Sequence, residues 1–282
     1  MDIVFNIDNK YVPFLCTTIL SLLENNKEHK IKFHILTIEL SNENREYIKE
    51  LVTTQNSEVL FYDINIDLLK GFPIGKGTVN PNYPYTGYLR LLISEIIPSY
   101  INKILYLDCD IIIINSIDKL WNTDISNYCI AAVDDYGENG TNGIERLIGI
   151  KGYSYFNAGV LLMNLDRMRE LGIYEQYKEW SISNYSKIKF HDQDVLNALL
   201  FDKRKKIDSQ WNHMTNFGNG TIIHFSGIKP WQSECKHPLK KVFTNYLQRT
   251  KWGNMKLPIH QKKNNFFKTI YILLKQKIKS FL

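Results

Sequence analysis

The sequence has no stretch approaching the roughly 20 consecutive apolar residues of a bilayer-spanning helix, which argues against a helical membrane anchor within it. Its four cysteines (Cys16, Cys109, Cys129, Cys235) stand far apart with no CxxC pair, so neither a zinc ribbon nor a dense disulfide framework is written into it. The opening residues, MDIVFNIDNKY, carry acids and no basic leader, unlike a signal peptide. Together these absences lead us to expect a cytoplasmic protein with reduced thiols. There is no internal repeat and no low-complexity linker. The body of the chain also lacks a charge excess. Residues 260–282 hold six lysines (262, 263, 268, 275, 277, 279) and no acid, and without them 29 basic residues face 29 acidic ones. A balanced body excludes the broadly basic surface of a nucleic-acid-binding protein and confines the net charge of +6 to the C-terminal segment.

What is present has a clear order. A short apolar run from residue 2 ends at polar Asn6, Asp8 and Asn9, as a buried strand would. Helical spacing over residues 14–23, an apolar run in KIKFHILTI, a helical SNENREYIKEL and a strand-like VLFYDIN follow. Strand, helix, strand, helix, strand predicts a mostly parallel sheet covered on both faces, in a chain of 282 residues long enough for one large α/β domain. A Gly/Pro/Asn-rich loop is expected over 71–87, a helix in YLRLLISEIIP and a Gly-rich loop from 136 to about 153. FNAGVLLMNLDRMRE and a helical DVLNALLFD come next, with an irregular pattern after 207. In open α/β sheets ligands collect at the carboxyl ends of strands, and the polar clusters here (Asn6 with Asp8, Asp108 with Asp110, Asp134 with Asp135) each follow a strand.

KILYLDCDIIII is the sharpest of these clusters. Asp108 and Asp110 are i and i+2, so in extended chain their side chains leave on one face while Cys109 points into the core. Two carboxylates that close raise each other's pKa unless a cation lies between them. Hard divalent cations prefer such oxygens and leave positions for phosphate oxygens. Two surface aspartates capping a turn would be the plain alternative. In IIHFSGIKPW, His224 offers an imidazole that would favour Mn2+ over Mg2+, Gly227 permits close backbone approach, and Lys229 carries a point charge suited to phosphate. In YFNAGVLLMNL, Asn157 has both donor and acceptor for sugar hydroxyls. In HDQDVLN, Asp194 suits the first turn of a helix, leaving Asp192 and Gln193 to face a ligand.

With these pieces in register, the sequence resembles the family 8 retaining glycosyltransferases, in particular the bacterial lipooligosaccharide galactosyl- and glucosyltransferases. The resemblance covers residues 1 to about 235 and rests on MDIVFNIDNKY, YLRLLISEIIP, KILYLDCD, YFNAGVLLMNL, HDQDVLN and HFSGIKPW. It implies a single Rossmann-like, GT-A-type domain. It further implies Mn2+, with Mg2+ the alternative, held by Asp108, Asp110 and His224 on the diphosphate of a UDP-sugar. Asp8 and Tyr11 would hold uracil, Arg90 the donor sugar or phosphate, and Asn157, Asp192 and Gln193 the transferred hexose. Gly227 and Lys229 would take the diphosphate, and Asp134 would border the acceptor. The catalytic role is left between Asp192 and Gln193. Asn6 and Lys10 depart from the residues usual in the family at the base-binding end.

The expected activity is transfer of galactose or glucose from a UDP-sugar to a saccharide, in particular a lipid-linked lipooligosaccharide intermediate. A metal-dependent phosphohydrolase or nucleotidyltransferase, and a UDP-sugar-binding protein without turnover, are the alternatives. The domain reading is a catalytic unit over 1–258 and a basic amphipathic helix over 259–282. There Phe266, Ile270, Leu274 and Ile278 recur four apart, with Lys268, Lys275 and Lys279 elsewhere on the wheel. At about 1 kcal/mol per lysine near an anionic surface, such a segment predicts peripheral attachment to the inner face of the plasma membrane. A chain ended near residue 260 is then expected to lose flotation with anionic liposomes that the full chain retains. Undiminished flotation of the shortened chain would remove this reading.

Overall fold

A computed structural model describes residues 1–72, 84–136, 142–214 and 219–255. The C-terminal segment read as an amphipathic helix, most of the 71–87 loop and part of the 136–153 loop lie outside the described residues. The first half alternates as expected: β1 (Asp2–Ile7), α1 (Val12–Glu24), β2 (Lys32–Thr37), α2 (Asn42–Thr53) and β3 (Glu58–Asp63). These strands pair in parallel. A 3-10 segment over Tyr85–Leu92 runs into α3 (Ile93–Ile96), followed by β4 (Lys103–Leu107), which joins β1 in parallel.

The second half adds one reversed strand to the sheet. It comprises β5 (Ile111–Ile113), α4 (Asp118–Trp121), β6 (Ile130–Ala132), α5 (Gly143–Ile148), β7 (Val160–Asn164), α6 (Leu165–Glu170), α7 (Ile173–Ser183) and α8 (His191–Leu200). After these come β8 (Arg204–Lys206), β9 (Ile222–His224) and α9 (Lys240–Gln248). The main sheet has the order β3-β2-β1-β4-β7-β6-β8, with β7 antiparallel to both its neighbours and β6 parallel to β8. It is therefore a mixed, mostly parallel sheet. β5 leaves it to pair antiparallel with β9 in a separate two-stranded ribbon.

Each face of the sheet carries its own core. Ile3, Phe5 and Ile7 of β1 pack with α1, while Val4 packs on the opposite side with Leu36, Tyr88 and Tyr106. α1 is buried around nearly its whole circumference, from Val12 to Leu23, with Pro13 in its first turn, where a missing N–H costs nothing. Burying side chains such as Leu15, Ile19 and Leu22 contributes about 1.5–3 kcal/mol each relative to exposure. Residues 88–98, expected as a helix, wind as 3-10 through Leu92 and as α over Ile93–Ile96. Gly87 N–H takes the carbonyl of Pro84, three residues back, and the Gly87 carbonyl accepts from Arg90 Nε at 3.2 Å. Tyr88 to Leu92 are all buried as a result.

His191 opens α8 in left-handed backbone (φ 53°), with its Nδ1 3.3 Å from the Tyr88 hydroxyl. Burial pushes its imidazole down to about 4 from an ordinary 6.5. The unfolded chain therefore takes up this proton below pH 6.5 and the folded one only near 4, so its contribution, complete above about 6.5, is lost as pH falls through that window. Asparagine tolerates left-handed backbone. His191→Asn should consequently show a shallower fall in melting temperature between those pH values than the unaltered protein. Parallel slopes in the two would refute the assignment.

Candidate active site

Three strand ends meet where the sequence placed its carboxylates. β4 stops at Leu107, and the Asp108 N–H bonds the Gly159 carbonyl at 2.9 Å, extending the β4–β7 pairing by one step. The chain then bends through 108–110 into β5, whose Ile111 lies opposite His224 of β9, and the Phe225 N–H takes the Asp110 carbonyl at 3.0 Å. One ligand atom each from Asp108, Asp110 and His224 lie within 4.8 Å of one another. His224 Nε2 stands 3.4 Å from Asp110 Oδ1 and 3.8 Å from Asp108 Oδ2. Cys109, between the aspartates, is buried in the α1-side core.

Two of the buried hydroxyl side chains of α1, Thr18 and Ser21, hold this bend from behind. The Thr18 hydroxyl faces the carbonyls of Cys109 (3.1 Å) and Ile111 (2.8 Å), and the Ile113 N–H donates to Ser21 Oγ at 3.0 Å. Sequence reasoning passed over both. The available signal was a hydroxyl pair three residues apart on a helix with no polar face. Gly159 is required from the front: a Cβ there would lie 2.3 Å from His224 Cε1 and 2.9 Å from Asp108 Oδ2. Two carboxylates and an imidazole converging past a glycine suit a divalent cation in both donor type and space.

Two cations already lie against the cluster. Arg90, 6% exposed, donates from Nη2 to Asp108 Oδ1 (3.0 Å) and from Nη1 to the Ala158 carbonyl (2.6 Å). Its Nε pairs with Asp192 Oδ2 (2.7 Å), and its guanidinium lies over the Tyr106 ring. The Tyr106 hydroxyl donates to the same Asp108 Oδ1 at 2.6 Å. Lys229 is ion-paired with Asp110 Oδ2. Burial alone would raise the Asp110 carboxyl, but the Lys229 ammonium and the His224 imidazole outweigh it and hold the group well below the carboxylate range. Burial likewise works against the Lys229 charge, yet Asp110 raises the ammonium overall. Among these five ion-paired side chains, three carboxylates (Asp108, Asp110, Asp192) face two fixed cations (Arg90, Lys229), so negative charge is left over.

Behind His224 runs a line of amides whose polarity can be deduced. The Gly159 N–H can only donate, and it donates to Asn157 Oδ1 at 2.9 Å. Asn157 Nδ2 is thereby turned toward Asp135 Oδ2 (3.4 Å), and Asn212 must offer its Nδ2 to Asn157 Oδ1 (2.9 Å). Asn212 Oδ1 then faces His224 Nδ1 at 2.8 Å. In the same way the Ala158 N–H fixes Gln193 Oε1 (2.9 Å) and sends Gln193 Nε2 to Asp135 Oδ2 (3.0 Å). Asp135 belongs to the Asp134–Asp135 cluster expected after a strand, whereas Asn212 was not among the residues singled out from sequence and had no signal to find it by. Asp134 is held by Arg204 Nη2 (2.7 Å) and Lys206 Nζ (2.6 Å), which outweigh burial and lower its pKa. Asp194 takes the N–H groups of Lys189 and Phe190, as expected of a helix-start residue.

In front, a cavity of about 270 Å³ is lined by Asp8, Tyr11, Arg90, Asp108, Asp110 and Lys229 among others, at the small end of ligand-pocket sizes. Asp8 caps the following turn, its Oδ1 accepting from the N–H groups of Lys10 and Tyr11. Tyr11 packs edge-on against Phe14 and Trp231, which stack on each other with centroids 3.5 Å apart. Gly227 has φ 92°, a backbone that side chains resist. Asn6 lines the same cavity, and both its side-chain amide atoms are buried without a hydrogen-bond partner among the described residues. Of the expected residues, the structure thus brings six to the cavity wall. His224, Asn157, Asp192 and Gln193 join them through Asp108, Arg90 and the amide line.

Comparison with known proteins agrees with this architecture. The family model for glycosyl transferase family 8 matches residues 2–235. A Haemophilus influenzae protein assigned as a glycosyltransferase is 33% identical over 84% of this chain and 74% of its own. The lipopolysaccharide 1,2-glucosyltransferase of Escherichia coli is 28% identical over 98% of this chain and 86% of its own. Among solved structures, the galactosyltransferase LgtC in complex with donor and acceptor sugar analogs superposes with a TM-score of 0.80 at 27% identity, covering 89% of this chain and 96% of that one.

Gly159 makes a sharp test of the cluster's geometry. Gly159→Ala must push the His224 ring or the Asp108 carboxylate aside, and a displacement near 1 Å at a reacting centre costs about 100-fold in rate. The expected result is a loss of that order in turnover with circular dichroism unchanged. Retained turnover would mean that the cluster is not where the chemistry happens.

Proposed function

Since the chain belongs to glycosyl transferase family 8, we propose that it is a retaining hexosyltransferase moving galactose or glucose from a UDP-sugar to a saccharide acceptor. The observation that carries this reading is the convergence of Asp108, Asp110 and His224, with both aspartates lining a cavity that Asp8 and Tyr11 also line. The three side chains would hold Mn2+ or Mg2+, which supplies Lewis acidity toward the departing diphosphate. Tyr11 would stack on uracil with Asp8 beside it. Arg90 and Lys229 keep positive charge where the leaving group gathers negative charge, and Gly227 lets the backbone come near the phosphates. Asn157, Asp192 and Gln193 would orient the hexose, with Asp134 toward the acceptor. The lipopolysaccharide glucosyltransferase among the relatives supports a lipid-linked oligosaccharide as acceptor. Residues 1–258 would form the catalytic unit, with 259–282 holding it at the anionic inner face of the membrane.

Retention of configuration needs either a carboxylate nucleophile and two displacements or attack from the face that the leaving group departs. Asp192 is 2% exposed and tied to Arg90, and the Gln193 carbonyl oxygen is taken by the Ala158 N–H. That arrangement favours front-face attack. The acceptor oxygen bonds to the anomeric carbon as the bond to UDP breaks, and the acceptor's proton passes to the leaving phosphate oxygen.

A UDP-release screen over UDP-galactose and UDP-glucose with short saccharides, with and without Mn2+, tests the assignment. Asp108→Asn and Asp110→Asn are expected to abolish release, and activity indifferent to a chelator would sink the metal reading. Asp192→Asn separates the two routes: a loss near tenfold, about 1.4 kcal/mol, fits a positioning carboxylate, whereas an obligatory nucleophile would cost several orders of magnitude.

A further inference from the structure

His224 is the one nitrogen ligand of the cluster, and an imidazole can bind a cation only through a nitrogen that carries no proton. With its proton on Nε2, the ring would aim an N–H at Asp110 and Asp108 and offer the cation nothing. Which nitrogen carries the proton is set by what the other faces. The order of donors behind the ring places a proton on Nδ1. The Gly159 N–H assigns Asn157 Oδ1 as acceptor, Asn212 Nδ2 donates to that same oxygen, and Asn212 Oδ1 is left to receive a proton from His224 Nδ1 at 2.8 Å. Asn212 is fully buried and cannot turn to solvent. The backbone holds it beside the ring, because His213 pairs with Ile223 and the His224 N–H bonds the His213 carbonyl at 2.9 Å.

We propose that Asn212 is a positioning residue that locks His224 in the Nδ1–H tautomer, directing the Nε2 lone pair between Asp108 and Asp110. The inference rests on the metal reading above for its purpose, but its structural content does not depend on any bound ion. Asn212 does not line the cavity. It acts through the ring, and through it the orientation set by two residues at the entrance of β7 reaches the cluster.

The test reads the tautomer directly, in metal-free protein labelled with 15N-histidine, over a pH series in which the spectra separate the singly from the doubly protonated ring. His224→Gln identifies the signal by its disappearance. The unaltered protein is expected to carry the proton on Nδ1, and Asn212→Leu to shift it to Nε2. In calorimetry Asn212→Leu should weaken Mn2+ binding about 10–100-fold, and Asn212→Asp, which keeps an acceptor for Nδ1–H, should restore much of it. An Nε2–H signal in the unaltered protein overturns the proposal even if Asn212→Leu fails to fold. So does Asn212→Leu that melts lower but keeps both tautomer and affinity, the pattern of a merely structural residue. Absence of Mn2+ binding by the unaltered protein would overturn the metal reading instead, and the tautomer signal would still decide the part played by Asn212.

Discussion

The centre of this fold is organised around a repulsion. Asp108 and Asp110 place carboxylate oxygens within 4.8 Å, where two negative charges cost about 3.5 kcal/mol at an effective dielectric near 20. Nearly every unusual feature nearby either tolerates that cost or lowers it. Arg90 and Lys229 each neutralise one partner, the Tyr106 hydroxyl takes a lone pair, and Thr18 and Ser21 anchor the bend so that the two side chains cannot swing apart. The mixed sheet serves the same end. Reversal of β7 brings Gly159 across from Asp108, and the departure of β5 from the main sheet lets β9 bring His224 beside Asp110.

A second layer gives direction to the first. The N–H groups of Ala158 and Gly159 are fixed donors, and each sets the orientation of one amide side chain, Gln193 and Asn157. From there the order of donors and acceptors runs to Asp135 on one side and His224 on the other, with no link able to flip alone. Buried networks of this kind rigidify a site when each member is satisfied. Here the rigidity belongs to the backbone entering β7, one of the most enclosed parts of the molecule.

The sequence revealed the first layer well and the second hardly at all. Asp108 and Asp110 stood out because charge interrupts apolar runs, and His224 because it follows a buried pair of isoleucines. The alternation of strands and helices was plain through β3 because it is local. What lay beyond reach depended on pairing between distant segments. The antiparallel entry of β7, the ribbon of β5 with β9, and the approach of Asn212 to His224 leave no periodicity behind them. Residues 88–98 read as helical and are, but the tighter 3-10 winding follows from full enclosure and from Arg90 reaching back to Gly87, neither of which a hydrophobic pattern records.

The crowding on Asp108 has one further consequence. Its Oδ1 accepts from both Arg90 and Tyr106, and Asp110 Oδ2 is paired with Lys229. Each carboxylate is thereby left with a single oxygen toward His224, Asp108 Oδ2 and Asp110 Oδ1, so neither is placed to chelate with both. The cluster would then offer a divalent cation one oxygen from each carboxylate and one imidazole nitrogen, an arrangement set by the neighbouring hydrogen bonds rather than by the ligands themselves.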